Sequence, residues 1–379
     1  MADPVVSEPL PTEVALHEER TAAWLGVTLG VAFTTCFVTG VLSHLIQNPP
    51  DWFLWPPRPA GLYRITQGLH VITGFAAIPL VLAKLWVVHP KLFAWPPARD
   101  IGHGLERLAL LPLVGGALFL LVSGTLNVAR WYPWSFFFPR AHYWAAWITI
   151  GALIIHVGVK ATITRHALAR QPPAAAVRAT PGQRRAFLGA VAATSGLVAL
   201  SQAGSTIGWL SPLSAFAQRR PNQGPQGLPI NKSAAGAKVT ELVARDPDYR
   251  LVVEGAVSRP LSLSLDDLRN LPQHQAELPI ACVEGWSASA HWRGVRLRDL
   301  LEQCGADDRA EVMVESLQPR GLYRASVVNR LQAQDPDTLL ALELNGEPLH
   351  LDHGHPVRLI GPNRPGVLQT KWVQRLVVR

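Results

Sequence analysis

The chain is short of charge. Of its 379 residues 16% are Asp, Glu, Lys or Arg, while 48% are hydrophobic; a soluble protein carries about 25% charge. This deficit argues against a wholly soluble chain and turns attention first to membrane spans. Cysteine is scarce too. Cys36 lies in an apolar run, and Cys282 and Cys304 lie far downstream, which is too few for a disulfide framework. Zinc-type Cys/His spacing, internal repeats and a nucleotide-binding glycine loop are all missing. The net charge of +8 does not point to nucleic acid, because the basic residues collect beside apolar segments, as orientation signals do.

What is present is a series of long apolar segments, at roughly 22–44, 62–88, 103–127, 142–163 and 187–211. Each reaches the ~20 residues that a helix needs to cross a bilayer. The 13 tryptophans lie in many cases near span ends, where indole suits the headgroup region. Residues 1–20 are polar and read as cytoplasmic. Lys84, Lys91, Arg99 and Arg107 mark the stretch between segments two and three, and Lys160, Arg165, Arg170, Arg178, Arg184 and Arg185 mark the stretch after segment four. The alternate loops hold Arg58 and Arg64, then Arg130 and Arg140. By the positive-inside rule the richer set faces the cytoplasm, segment five runs outward, and everything after about 212 lies outside.

Segment five opens Gln183-Arg184-Arg185-Ala186-Phe187-Leu188-Gly189 and continues in small apolar residues. It resembles a twin-arginine export signal, placed internally and kept as an anchor. Such export moves folded proteins, so the signal suits a domain that takes up a large cofactor before crossing. Residues 213–235 read as a linker, rich in Pro, Gly, Gln and Asn.

From 236 onward the pattern is that of one α+β domain. Residues 250–257 read as a strand, with a turn at Arg259-Pro260. Ser264 opens a short helix, with Asp267 as the capping-box acid. A second helix is expected over 295–304, and strands over 310–317, 322–328, 356–361 and 371–378. The densest cluster is Pro279-Ile280-Ala281-Cys282-Val283-Glu284-Gly285-Trp286-Ser287. A thiolate between a short strand and a Gly-Trp turn can ligate a soft metal or act as a nucleophile. The alternatives are a buried structural thiol or a disulfide with Cys304, although Cys304 ends an apolar helix face and reads as core.

Three blocks in order carry a resemblance. They are the opening strand with the Leu-Ser-Leu-Asp-Asp-Leu helix start, the Cys282 block, and the closing run His353-Gly354-His355-Pro356-Val357-Arg358-Leu359 to Gln369-Thr370-Lys371-Trp372-Val373. Over about 249–379 the domain resembles the molybdopterin domain of the sulfite oxidase family, most of all its bacterial methionine-sulfoxide-reductase branch. The resemblance implies that Cys282 ligates molybdenum and that Arg358 and Lys371 hold the pterin phosphate. His353 stands where the branch has Asn beside the pterin, and Gln369 stands near a family Ser that touches the cofactor. Ser316 and Asn231 are further candidates for the cofactor wall. Trp286, His291, Arg293, Arg320, Tyr323 and His355 are candidates for the substrate mouth, with Arg324 beside Arg320 suited to an oxyanion. No soluble cytochrome domain flanks this one, so electrons are expected to pass through the membrane part.

Seven histidines lie in or beside the first four segments: His44, His70, His89, His103, His142, His156 and His166. Ionisable groups within a bilayer are functional candidates by default. His142 and His156 are 14 residues apart, about 21 Å along one helix and on nearly the same face. The layout resembles the four-helix b-type cytochrome subunits of formate dehydrogenases and related enzymes, which implies one or two haems b with paired imidazole ligands. Carried over, His142 pairs with His70 and His156 with His103. His44 is a reserve ligand, and His89 and His166 face headgroups. A single haem with other pairs, or a plain anchor, are the competing readings.

The expected architecture is therefore a five-helix membrane bundle plus a soluble α+β sulfite-oxidase-like domain. Residues 1–170 form the cytochrome-like part, 171–212 the signal and fifth helix, 213–235 the linker and 236–379 the molybdopterin domain. The expected function is oxygen-atom transfer to or from a small, sulfur-containing molecule or an oxidised protein outside the cytoplasmic membrane. Electrons are exchanged through haem with the quinone pool, and reduction is the expected direction. Oxidation of sulfite, and a non-catalytic tethered pterin fold, are the alternatives.

Overall fold

The computed structural model describes residues 18–96, 99–169, 181–214, 219 and 222–379. The polar N-terminal stretch up to 17, the boundary at 170/171 with Arg170 and Arg178, and linker residues 215–218 and 220–221 lie outside the described residues. The fold divides into two compact units. One holds the described residues up to Val41 together with Leu69–Gln202, and the other holds Leu42–Gly68 together with Ala203–Arg379.

Five long helices supply the first unit: α1 (Glu19–Gln47), α2 (Leu62–Leu92), α3 (Ile101–Ala129), α4 (Phe138–Ala169) and α5 (Pro181–Ala203), with the end of α1 from Leu42 and the start of α2 up to Gly68 belonging to the second unit. All five are long and apolar enough to cross a membrane. They start and stop where local chemistry dictates. Asp100 caps α3 by accepting from the His103 backbone N–H at 2.8 Å, and Arg130 ends it in the left-handed conformation. Arg184, in the first turn of α5, pairs with Glu18 at 3.6 Å.

Helix α5 stops at Ala203, eight residues short of the span expected to run to 211. The chain turns back at Gly204, where a Cβ would collide with the Leu210 carbonyl oxygen at 2.2 Å. The polar pair Ser205 and Thr206 follows the turn and belongs to the second unit. Ser205 and Thr206 each donate to the Gly285 carbonyl at 3.0 Å, and the Ser287 N–H donates to the Ser205 carbonyl at 2.8 Å.

The second unit contains two five-stranded sheets. Its strands are β1 (Arg250–Gly255), β2 (Leu261–Ser264), β3 (His274–Ala281), β4 (Ser287–Arg296), β5 (Val312–Ser316), β6 (Ala325–Val328), β7 (Leu339–Leu344), β8 (Glu347–Pro348), β9 (Arg358–Ile360) and β10 (Val373–Val378). One sheet has the order β2-β1-β10-β5-β6. The other has β3-β4-β7-β8, with β9 also paired to β7. Only β1 and β10 among these pairs run parallel, with Val252 opposite Arg375.

The short helices of this unit are α6 (Ala234–Ala237), α7 (Glu241–Ala244), α8 (Leu265–Asn270), α9 (Leu297–Cys304) and α10 (Arg330–Gln334). The expected capping box is present at the start of α8: Ser264 and Asp267 each bond the other's backbone N–H. Strand β4 occupies 287–296, so the helix expected from 295 begins at Leu297.

Strand β7 is buried on both faces and divides two cores; its alternation slips by one residue at Leu342, where the ladder to β4 has an irregularity. Leu340 and Leu342 face the main core with Leu251, Val253, Leu300, Leu301, Cys304 and Leu376. Leu339, Ala341 and Leu344 face a second core with Leu278, Ile280, Trp292, Trp286 and Cys282. A buried leucine such as Leu300, cut to Ala, costs about 2–5 kcal/mol. The second core sets the position of the candidate site.

The segment between α1 and α2 is tied firmly into this unit. The Asn363 side chain accepts from the Tyr63 N–H at 2.7 Å and donates to the Pro56 carbonyl at 2.7 Å. Its own carbonyl accepts from Trp55 Nε1 at 2.9 Å. Arg58 binds Asp335 through two nitrogens and also meets Asp337.

Candidate active site

Cys282 is the first residue of the loop joining β3 to β4, whose last ladder pair is Ala281 with Ser287. Its N–H donates to the Trp286 carbonyl at 2.8 Å, and its carbonyl accepts from the Gly285 N–H at 3.0 Å. Gly285 sits at φ 90°, a conformation that only glycine adopts without strain. The loop is thus a closed turn that presents one thiol. Cys282 is buried, and no disulfide forms among the described residues, so the pairing with Cys304 is set aside. Cys304 packs in the main core, as expected.

A cluster of buried cations flanks this loop. Lys371 is held by the carbonyls of Lys232 and Asp352, both at 2.8 Å. Burial drives its pKa well below the ordinary lysine value; Arg358 adds to the drop, and Asp352 and Cys282 oppose it. Arg358 lies under Trp292, 5.2 Å from the ring centroid, and donates to the His353 carbonyl at 3.0 Å. Burial lowers its pKa to about 9, and its Nε has no hydrogen-bond partner.

His353 is anchored through Nε2 to the Pro225 carbonyl at 2.8 Å, and its buried Nδ1 is also left without a partner. Burial, then the charge on Arg358, lowers its pKa to about 3. Two buried cations, one of them with the orphaned Nε–H of Arg358, form a cradle that an anion would stabilise. The dianionic phosphate of a pterin fits that donor set, and the Cys282 thiol fits a soft metal.

The remaining expected residues are distributed around this cluster. Ser316 donates to the Lys371 carbonyl at 2.8 Å and so fixes its backbone. Gln369 is buried and closes the 361–364 turn through the Gly361 N–H and the Arg364 carbonyl. Asn231 is half-buried and accepts from the Lys232 N–H, next to the carbonyl that holds Lys371. The linker expected to end at 235 is therefore structured well before it: Gln226 bonds the carbonyls of Leu344, Glu347 and Pro348.

Of the candidate mouth residues, Trp286 and Tyr323 lie by Cys282. Trp286 is buried and donates to Glu284 at 3.1 Å, and the Tyr323 phenol has its pKa raised by burial first and then by Cys282. His291, Arg320 and Arg324 are exposed. Arg293 and His355 line a separate cavity of about 220 Å³, where Arg293 pairs with Glu343 at 2.7 Å. Burial lowers the His355 pKa, assisted by Arg245 and Arg269.

Sequence reasoning missed three contributors. Arg219, in the linker, stacks over Trp286 at 5.9 Å and pairs with Glu284 at 3.3 Å. Gln67 donates to the Val283 carbonyl at 3.1 Å. Tyr63 packs beside Ala281 and, with Tyr323, lies within electrostatic reach of Cys282. The signal for them was faint: polar residues at the ends of apolar segments look like interfacial ones.

In the helical unit, His70 and His142 face each other with ring centroids 6.4 Å apart. His70 Nδ1 is 2.9 Å from the Cys36 carbonyl, which can only accept, so Nδ1 carries the proton. His142 Nδ1 lies 3.1 Å from Ser123 Oγ, whose own proton goes to the Leu120 carbonyl. Both rings thus have Nδ1 engaged, which leaves Nε2 as the nitrogen for a metal. Gly124 faces the ring of His142, 3.7 Å from where its Cβ would stand.

His103 and His156 are not brought together in this way. His103 sits in the first turn of α3, with Nδ1 accepting from the Arg99 N–H at 3.3 Å. His156 has Lys84, Lys160 and Glu106 as its charged neighbours, the last two paired to each other. It lines a groove of about 320 Å³ between α3 and α4. His44 and His166 occupy the last turns of α1 and α4, and His89 packs on Phe93 at the end of α2.

Residues 237–379 match the family described as the oxidoreductase molybdopterin binding domain. The mitochondrial sulfite oxidase of Homo sapiens is 36% identical over 162 residues, covering 35% of this chain and 30% of that protein. YedZ1 of Azospira oryzae, described as a candidate protein-methionine-sulfoxide reductase subunit, is 32% identical over 186 residues, covering 48% of this chain and 69% of that protein. That stretch is too long to fit within 237–379. Among solved structures, the sulfane dehydrogenase SoxCD from Paracoccus pantotrophus matches at 26% identity over 35% of this chain and 38% of that chain, with a TM-score of 0.32.

The chain spans about a third of the length of the sulfite oxidases it matches. It belongs to the sulfite-oxidase-like molybdopterin oxidoreductases. More particularly, it is a molybdopterin-dependent oxidoreductase related to sulfite oxidase and to YedZ, with five candidate membrane helices and the molybdopterin domain in one polypeptide.

Proposed function

We propose that this enzyme transfers an oxygen atom to or from a small, sulfur-containing substrate outside the cytoplasmic membrane, acting chiefly as a reductase, with electrons exchanged through one b-type haem and the quinone pool. Molybdenum bound to molybdopterin supplies the two-electron oxygen-transfer chemistry. Cys282 would ligate it, and Lys371 and Arg358 would neutralise the pterin phosphate, with the neutral His353 beside them spending its one N–H on the Pro225 carbonyl. Ser316, Asn231 and Gln369 hold the backbone that shapes this cradle. The fifth helix, opened by Arg184 and Arg185, anchors the folded domain after export.

The observation that carries the electron-transfer reading is the facing pair His70 and His142. Two imidazoles that face each other at this distance could together hold one haem iron. The 6.4 Å separation supports a shared iron, and the Nδ1 hydrogen bonds support Nε2 ligation. The isolation of His103 from His156 favours one haem over two. A sulfite-oxidising enzyme that delivers electrons to quinone or a cytochrome is the second reading, favoured by the identity to sulfite oxidase.

The testing experiment is a reduced-minus-oxidised optical spectrum of detergent-purified protein, combined with iron and molybdenum analysis. A b-type α-band with equal iron and molybdenum is expected. Molybdenum without iron would overturn the haem assignment and leave the helices as an anchor.

A further inference from the structure

The residues around Cys282 come in two chemically distinct groups. One is cationic: Lys371 and Arg358, with Arg219 close enough to act on Lys371. The other is phenolic. Tyr63 and Tyr323 both lie within electrostatic reach of the Cys282 sulfur and of each other. The cationic group suits the anionic tail of a pterin. The phenolic group brings O–H donors and no charge, which suits the neighbourhood of a reacting oxygen.

Tyr63 does not belong to the molybdopterin domain at all. It is the second residue of helix α2, some 174 residues before that domain begins at 237. Its position is nevertheless heavily determined. The side chain is 1% exposed and packs with Ile46 and Ala281, the residue before Cys282. Its N–H is captured by Asn363. Its hydroxyl lies 3.1 Å from Ser43 Oγ, and Ser43 Oγ accepts from Gln47 Nε2 at 3.1 Å. The other end of the same amide, Gln47 Oε1, accepts from the Tyr323 hydroxyl at 3.5 Å. A continuous chain therefore runs Tyr323, Gln47, Ser43, Tyr63, with both phenols within electrostatic reach of Cys282, Tyr63 packed on the adjoining Ala281, and both linking residues supplied by the last turns of α1.

We propose that Tyr63 is an active-site residue of the molybdenum centre, donating its hydroxyl hydrogen bond to the substrate oxygen, and that Ser43 and Gln47 are positioning residues that set its rotamer and couple it to Tyr323. The centre is then completed by the segment between α1 and α2, and residues 237–379 alone hold an incomplete site. This rests on Cys282 as the molybdenum ligand and extends that reading to residues outside the matched family domain. Ser43 Oγ, already accepting from Gln47, directs its own proton to the Tyr63 oxygen, and the phenol keeps its proton for the substrate. Packing on Ile46 and Ala281 enforces the rotamer in which this holds.

The test uses the full-length holoenzyme with dimethyl sulfoxide as the probe and a reduced dye as electron donor. It has a second readout in the Mo(V) electron paramagnetic resonance spectrum, recorded in H2O and in D2O. Tyr63→Phe keeps the ring and its packing and removes only the hydroxyl. Its expected result is unchanged molybdenum content, loss of an exchangeable-proton coupling from the Mo(V) signal, and a fall of about 10- to 100-fold in kcat with little change in KM, the worth of a hydrogen bond that strengthens as charge develops.

Ser43→Ala, which leaves the phenol in place but unanchored, should give a smaller fall of the same kind, and Ser43→Thr should restore it. Wild-type coupling and wild-type kcat in Tyr63→Phe would overturn the proposal. So would a Ser43→Ala protein with the defect of Tyr63→Phe but a lowered molybdenum content, because the residues would then only support folding. If the wild-type holoenzyme fails to turn over the probe while the coupling is lost in Tyr63→Phe, the placement of Tyr63 stands and the substrate reading fails.

Discussion

Replacing Asn363 by Ala should release the segment between α1 and α2 from the domain that holds Cys282. Asn363 is 3% exposed, and its side chain satisfies two groups at once, the Tyr63 N–H in the first turn of α2 and the Pro56 carbonyl. It therefore acts as a helix cap delivered from 300 residues away. Truncation leaves both groups unpaired in a buried setting, at about 1–3 kcal/mol each. Asn363 also sits at φ 56°, and a residue with a Cβ and no local hydrogen bond costs about 1–2 kcal/mol there. The combined loss is about 3–8 kcal/mol, and even the lower bound raises local opening by roughly a hundredfold.

Hydrogen–deuterium exchange of the detergent-solubilised protein reads this directly. Peptides spanning 52–66 should lose protection by at least that factor, while the β1–β10 ladder remains protected. Asn363→Gly removes the same side chain without the left-handed penalty, so it should be less damaging than Asn363→Ala by about 1 kcal/mol. Unchanged exchange over 52–66 in both variants would refute the reasoning, since it would mean that the Arg58 and Trp55 contacts hold the segment unaided.

Further perturbations act on separate parts of the molecule. Cys282→Ala should abolish oxygen-atom transfer and lower molybdenum content while leaving the haem spectrum intact; turnover at the wild-type rate would remove the metal-ligand assignment. His142→Ala should eliminate the b-type α-band, and Ser123→Ala should only shift it, because Ser123 orients the ring without ligating; a full α-band in His142→Ala would dismiss the pair. His353 predicts a pH dependence in the cofactor-free protein. Its folded pKa is about 3, below the unfolded value of 6.5. Above pH 6.5 both states are neutral at this site and it contributes no slope. Between 6.5 and about 3 the unfolded chain binds a proton that the folded one refuses, so stability falls as pH falls. His353→Gln should flatten that acid limb in a urea titration, and an unaltered slope would contradict the burial argument.

Much of this protein was legible from composition and pattern. Apolar runs of about 20 residues have few outcomes in water, so five helices were readable without a fold. The capping box at Ser264 and Asp267 is a local hydrogen-bond exchange that needs no tertiary partner. The order of the Cys282, His353, Arg358 and Lys371 blocks carried the family resemblance because each block is a continuous stretch of chain. Strand β4 was not read, although it alternates as a strand does, with Trp292 buried between an exposed His291 and an Arg293 paired to Glu343.

Tertiary structure alone decided which distant residues meet. Nothing in the spacing of Ser43, Gln47 and Tyr63 announces that they join one hydrogen-bonded chain with Tyr323, far downstream, or that Tyr63 packs on Ala281. The cap that Asn363 places on α2 follows from hydrogen bonds whose two ends lie in different segments. So does the end of α5 at Ala203, well before the apolar pattern runs out, because Ser205 and Thr206 find their partners in the Cys282 loop. The approach of His70 to His142 was likewise open, because a helix period fixes the face a histidine occupies but not the depth at which a neighbouring helix meets it. Periodic apolar burial is a one-dimensional signal, whereas a site made of single polar contacts is set by the packing that brings its parts together.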